Sequence, residues 1–191
     1  MHPSSPPHQS PIAARILVVD DSRLQRRILC SMLKKDGHTV LEADSGIAAL
    51  DICREAEVDI VLSDWMMPGM DGLAFCKAFK ALPRESYGYF ILLTSKSEKD
   101  DIAEGLGAGA DDFLTKPVNA QELRARIVAG QRILEMEREL TDKNALISQT
   151  LEELQSLYDG LERDLVEAQK LQQSLVPERF LTFGTTAVSM L

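Results

Sequence analysis

The sequence predicts an α/β fold: a doubly wound, five-stranded parallel sheet of (βα)5 form followed by a long C-terminal coiled-coil helix. Three observations carry this. Short apolar runs alternate with helical patterns from Arg15 to about Gly130. Two of the runs, 16–19 and 90–93, are apolar without alternation, which suits strands buried on both faces. From Glu135 to Val176 strand signals cease, and apolar residues recur every seven positions.

The strands read in order as "RILVVD" (15–20), "TVLEA" (39–43), "VDIVLS" (58–63), "YFILLT" (89–94) and "DDFLTK" (111–116). Between them lie four helical segments. "SRLQRRILCSMLKKDG" offers Ser22 as an N-cap and Gly37 after its end. "SGIAALDICREA", "DGLAFCKAFKAL" and "SEKDDIAEGLGAGA" follow, and a fifth helix begins after Pro117. Strands alternating with helices imply parallel pairing with helices on both faces. In the C-terminal segment Ile133, Leu140, Ile147, Leu154, Leu161, Ala168 and Leu175 occupy one heptad position, d. Glu137, Asn144, Leu151, Tyr158, Leu165 and Gln172 occupy the other, a. The seam is nearly all apolar from Leu151 to Leu175 and polar at its first a positions. Continuous with the fifth helix, residues 119–176 would span roughly 85 Å. Gly160 is its weak point, and Asn144 can fix register and favour a dimer.

Composition narrows the function. The net charge of −9 argues against nucleic acid as a partner, and with 45% hydrophobic residues the chain can bury a real core. No apolar run approaches the ~20 residues that span a bilayer, so no membrane role is expected. Cys30, Cys53 and Cys76 form no CxxC motif and sit in amphipathic patterns, as reduced packing cysteines of a cytoplasmic protein do. The Pro/Ser-rich opening, residues 1–13, reads as a disordered tail.

In doubly wound sheets ligands sit outside the carboxyl ends of the strands. Here those ends carry Asp20-Asp21, Asp64, Thr94-Ser95 and Lys116-Pro117. Three carboxylates in one site would raise one another's pKa values, and a hard divalent cation such as Mg²⁺ relieves that. A lysine and a hydroxyl beside them suit an incoming phosphoryl group. Asp64 is then a carboxylate nucleophile forming an acyl phosphate, with Mg²⁺ and Lys116 neutralising charge. Pro68-Gly69 turns the chain sharply just past it. Trp65 is either an exposed lid or a packed loop residue.

The stretches "ILVVDDS", "DIVLSDWMMPGMDGLAF", "ILLTS" and "GAGADDFLTKP" resemble the receiver domain of bacterial two-component response regulators, over residues 14–133. The resemblance implies a flavodoxin-like receiver with Asp64 as phosphoacceptor, supplied by a sensor histidine kinase or a phosphotransfer protein. It implies Asp21, Asp64 and the backbone carbonyl of Met66 as direct Mg²⁺ ligands, with Asp20 acting through water. Thr94 and Lys116 would bind the phosphoryl oxygens, Phe113 would be the switch aromatic, and the Lys116–Pro117 bond would be cis. Residues 134–176 are expected to form a homodimeric coiled-coil linker. The segment "DLVEAQKLQQSLVPERF" resembles the helix leading into metal-dependent serine phosphatases, so 177–191 read as the start of an output domain missing from this chain. Two alternatives stand beside a switch without enzymatic turnover. One is an aspartyl-nucleophile phosphatase, although Met66 stands where such enzymes place their acid/base Asp. The other is a receiver with a different output, such as a nucleotide cyclase.

Overall fold

The nine described elements run β1 (Arg15–Val19), α1 (Arg23–Lys35), β2 (Thr39–Ala43), α2 (Gly46–Glu55), β3 (Ile60–Asp64), α3 (Gly72–Lys80), β4 (Tyr89–Thr94), β5 (Asp112–Thr115) and α4 (Ala120–Leu175). The structure is a computed structural model and describes residues 13–84, 86–95 and 107–175. The helix expected over 97–110 lies outside the described residues except for its last four positions, as do 1–12 and 176–191.

All five strands pair in parallel in the order β2-β1-β3-β4-β5. This is the expected flavodoxin-like sheet. The order of strand addition reverses between β1 and β3, since β1 feeds outward to β2 while the remaining strands build the other way. Such a reversal opens a crevice at the carboxyl ends of the two strands.

The apolar runs divide between two layers by simple alternation. Leu17, Val19, Val61, Phe90 and Leu92 face α2 and α3 through Leu50, Cys53, Phe75, Cys76 and Phe79. Ile16, Val18, Ile60, Leu62, Ile91 and Leu93 face α1 and the start of α4 through Leu29, Leu33, Leu123 and Ile127. Burial of each such side chain contributes about 1.5–3 kcal/mol. All three cysteines are buried and free, and burial pushes their thiols up, that of Cys76 to about 12, so none is poised to react.

The helix starts follow local chemistry. The side chains of Ser22, Ser45 and Asp71 accept from the backbone N–H groups of Gln25, Ala48 and Ala74 and so cap α1, α2 and α3. Asn119 caps α4, accepting from Gln121 N at 2.8 Å. The turn after β3 uses Gly69 at φ +80°, a conformation that favours glycine.

Gly72 matters for a different reason. A Cβ there would lie 2.3 Å from the carbonyl oxygen of Asp64 and 2.9 Å from Leu92 Cδ2. Its absence lets the first turn of α3 close onto the end of β3, where Gly72 N donates to Trp65 O at 2.8 Å. Gly72→Ala is expected to lower stability by about 1–3 kcal/mol, because the obstructing atom is backbone and cannot rotate away. A urea midpoint unchanged from the parent would show that the loop yields instead.

The chain divides into two compact units with the boundary between Thr141 and Asp142. The second, by itself, is the C-terminal part of α4. Every described residue from Asp142 to Ser174 is exposed except Gly160. No described helix is long and apolar enough to cross a membrane.

Candidate functional site

Strand register assembles the site. Val19 of β1 pairs with Ser63 of β3, so the next residues of the two strands, Asp20 and Asp64, are neighbours across the crevice. Asp64 pairs with Leu93, and Thr94 pairs with Thr115, which places Thr94 and Lys116 at the same edge. Lys116 N donates to Thr94 O at 2.7 Å and closes the set, and the Lys116–Pro117 bond is cis.

The charges then meet. Asp20, Asp21 and Asp64 each offer a carboxylate oxygen within 4.8 Å of the others. Lys116 Nζ bridges two of them, at 2.7 Å from Asp64 Oδ1 and 3.1 Å from Asp20 Oδ2. Asp20 is fully buried, Asp21 is exposed, and the Asp64 side chain is 13% exposed. A buried carboxylate needs partners. Asp20 has Lys116 on one oxygen and Ser22 N on the other at 2.8 Å, while Arg26 Nη1 donates to its backbone carbonyl at 2.5 Å. Burial raises the Asp64 carboxyl above its ordinary range, and Asp20 pushes the same way. The hydrogen bond and charge of Lys116 and the N–H of Trp65 partly offset this.

Hard oxygen donors clustered in this way fit Mg²⁺. An octahedral Mg²⁺ holds oxygens at about 2.0–2.1 Å, so its opposite ligands stand roughly 4.2 Å apart, close to the spread of these carboxylates. Exposed Asp21 leaves an open side for further ligands.

The remaining expected residues lie around this centre. Thr94 is buried at the end of β4, and Met66 is exposed two residues past Asp64. Phe113 of β5 is half-buried, its ring 6.4 Å from that of Trp65. Trp65 is itself buried, so of its two readings the structure selects the packed loop residue. Ser22, Arg26 and Gly72 were not expected at the site. Ser22 was legible only as a cap, Arg26 only as one of several basic positions on α1, and the closeness of Gly72 to the Asp64 carbonyl depends on tertiary packing.

The family model for the response regulator receiver domain matches residues 16–128. The chain belongs to this family. The phosphate regulon transcriptional regulatory proteins PhoB of Klebsiella pneumoniae and Escherichia coli are 39% and 38% identical to it over 121 residues, 63% of this chain and 53% of each of theirs. The chain thus spans about half the length of the curated relatives it matches. Among solved structures, the chemotaxis response regulator CheY4 of Vibrio cholerae is 30% identical with a TM-score of 0.59, covering 62% of this chain and 99% of its own. A Chloroflexus aurantiacus response regulator matches with the same identity and TM-score, covering 62% and 98%. The receiver's acidic pocket, where the family holds Mg²⁺ and accepts a phosphoryl group, corresponds to the aspartate cluster described above.

Proposed function

We propose that this receiver is a phosphorylation switch in which Asp64 is the acceptor. The observation that carries the reading is the Lys116 ammonium bridging Asp20 and Asp64 at the mouth of the sheet. An Asp64 oxygen attacks the phosphorus of a donor phosphohistidine. The P–N bond breaks, its electron pair returns to the imidazole, and an acyl phosphate forms. Lys116 moves with the arriving oxygens, and the Thr94 hydroxyl donates to one of them. Asp21, Asp64 and the Met66 carbonyl would hold Mg²⁺, with Asp20 reaching it through water, and the ion would draw charge from the transferring group. Met66 stands where a turnover phosphatase with an aspartyl nucleophile places its acid/base Asp, which favours a switch over turnover. Intact mass after incubation with acetyl phosphate and Mg²⁺ tests this. One stable adduct is expected, and rapid phosphomonoester turnover would favour the enzyme.

Donor docking is supported by α1. It carries Arg23, Arg26, Arg27, Lys34 and Lys35, has no acidic residue, and exposes Leu24 and Ile28. A groove of about 450 Å³ runs beside them, lined by Ile28, Leu29, Leu93, Lys116 and Pro117 among others. A sensor kinase or phosphotransfer protein seated there would bring its histidine to Lys116 and Asp64.

The readout begins at Phe113. Phosphoryl oxygens draw Thr94 inward, and Phe113 follows into the vacated space, a shift between two populated states. Phe113→Ala is expected to leave adduct formation within about twofold of the parent, because the ring touches no reacting atom. It should abolish the phosphorylation-dependent change in emission of Trp65, the only tryptophan. A full emission change in Phe113→Ala would remove Phe113 from the switch.

The signal then passes through α4 and a dimeric coiled coil to an output domain. Residues 168–177 carry the "A..LQ.SL.P" pattern that favours a serine phosphatase there. A second reading, an output acting on DNA, is favoured by relatives named as transcriptional regulators. It stands against the expectation of no nucleic-acid partner, which rests on the acidic balance of these 191 residues and does not extend to a longer parent. A solved relative named as a probable response regulator/GGDEF domain protein, 29% identical with a TM-score of 0.59, supports the nucleotide-cyclase type of alternative.

A further inference from the structure

Residues 131–141 lie beyond the family match, which ends at residue 128, yet they are built into the same compact unit as the sheet. Leu134 is buried in the layer that holds Ile16, Ile60 and Leu123. One turn on, Arg138 Nη2 donates to Asp59 Oδ1 at 2.8 Å. Asp59 is the residue immediately before β3, and its side chain is only 14% exposed. It is fixed from the other side, since Arg15 N at the start of β1 donates to its Oδ2 at 2.8 Å. One carboxylate therefore ties the first residue of β1, the entry to β3 and the outgoing helix together. On the neighbouring flank, Glu137 and Thr141 line a cleft with Phe79, Lys80, Tyr87 and Gly88, and Glu137 is half-buried there.

Two further details show a fitted contact. Gly130 lies against the Tyr89 ring, where a Cβ would come 2.7 Å from Tyr89 Cδ1. The buried positions 123, 127, 130 and 134 follow the three- and four-residue spacing of a single helix face, and exposed Arg138 and Thr141 continue that spacing at its edge. Ile133, Met136 and Leu140 lie off that face and are exposed. Glu137 is an a position by heptad count, but its half-burial places it in the cleft beside Tyr87.

We propose that residues 131–141 form a strap, in which Leu134 and the Arg138–Asp59 pair hold the outgoing helix onto the amino-terminal edge of the sheet, so that the receiver and α4 move as one body as far as Thr141. The strap fixes which face of the helix stays free where the helix leaves the unit. A loose joint at this point would absorb any displacement of the receiver. The strap's consequence for signalling rests on the coiled-coil reading above, but its existence does not.

The experiment is hydrogen exchange on the full 191-residue chain, comparing the parent with Arg138→Ala, Asp59→Asn and the double variant. Asn at 59 still accepts from Arg15 N but loses the charge that holds Arg138. Arg138→Ala is expected to speed exchange across 131–141 about threefold to fivefold, the upper part of the range for a partly exposed ion pair, because the Asp59 side chain is largely buried. In the Asp59→Asn background the same substitution should add less than about twofold, because the partner is already gone. Leu134→Ala, which opens the apolar half of the strap, should accelerate the same amides more than Arg138→Ala does. An Arg138→Ala chain that exchanges like the parent, or an equal effect with and without Asp59, would overturn the strap. Amides 151–165 report separately: if they exchange at unprotected rates in every chain, the coiled-coil reading falls while the strap result stands.

Discussion

Asp64→Asn is expected to reduce phosphoryl uptake from acetyl phosphate to background, a loss of at least ~10³, while leaving the fold intact. The amide is nearly isosteric with the carboxylate but lacks its anionic nucleophilicity. Asp21 and Asp20 cannot substitute for it. Asp20 is buried and held by Ser22 N and Lys116, and Asp21 lies on the exposed side of the cluster. The same variant carries a stability signature. Burial holds the Asp64 carboxyl above its ordinary range in spite of Lys116 and the Trp65 N–H. The folded state therefore binds that proton more tightly than the unfolded chain does. Its contribution to stability falls as pH rises from the ordinary carboxylate range through the raised value. Asn does not titrate. Without added divalent cation, Asp64→Asn should melt above the parent at about pH 7.5, with the gap closing below about pH 4. Adding Mg²⁺ should stabilise the parent and narrow the difference from the other side. A variant that takes up phosphate at the parental rate would remove Asp64 from its role. A variant melting below the parent at neutral pH would mean that Lys116 outweighs desolvation.

The sheet was legible because its strands are unusually one-sided in composition. Residues 16–19 and 90–93 have no polar position, and only a strand covered on both faces accommodates that. The site was legible because the fold forces strand ends together, so Asp20, Asp64, Thr94 and Lys116 could be placed without knowing a single side-chain contact. What sequence spacing could not provide were pairings across long separations and the role of small residues. Lys116 meets Asp20 across 96 positions, and Arg138 meets Asp59 across 79. No periodicity links either pair. Val58 and Asp59 read as the start of a strand by composition, yet β3 begins at Ile60. The Val58 carbonyl accepts from Arg84 and the Asp59 side chain from Arg15 N and Arg138, while the Asp59 backbone already bonds Arg15 O and Tyr89 N, so the two residues anchor the entry to the strand. Around residues 133–141 a seven-residue repeat and a receiver-facing stripe run along one helix, and sequence alone does not separate them. Burial of Leu134 beside exposed Ile133 does.

The full chain is expected to be a homodimer at tens of micromolar, and a chain ending at Thr141 is expected to be a monomer. The cut belongs at Thr141 because removal of Leu134 and Arg138 would strip the receiver of its own contacts. The drive for association lies in the second unit. Ile147, Leu151, Leu154, Leu161 and Leu165 fall on the d and a positions, and each is more than half exposed in the single chain. Fully burying an exposed side chain of this kind is worth about 1.5–3 kcal/mol, so five from each of two helices, each somewhat over half exposed, supply on the order of 10–20 kcal/mol against a 4–15 kcal/mol cost of association. Asn144 is the one polar layer in an otherwise apolar stretch from Leu140 to Leu165, save for Tyr158 with its hydroxyl. An Asn at an a position satisfies its amide best opposite another Asn in a parallel two-chain coil, which places both receivers at one end. Leu154→Asp with Leu161→Asp would bury four carboxylates in adjacent d layers of such a dimer. That double variant should weaken association by at least ~10³ without altering phosphoryl uptake, since neither residue lies in the receiver. Light scattering on the three chains at matched concentration reads this directly. A full-length chain that remains monomeric, a Thr141-terminated chain that dimerises equally well, or a double aspartate variant that associates like the parent would each exclude the coil as the dimer interface.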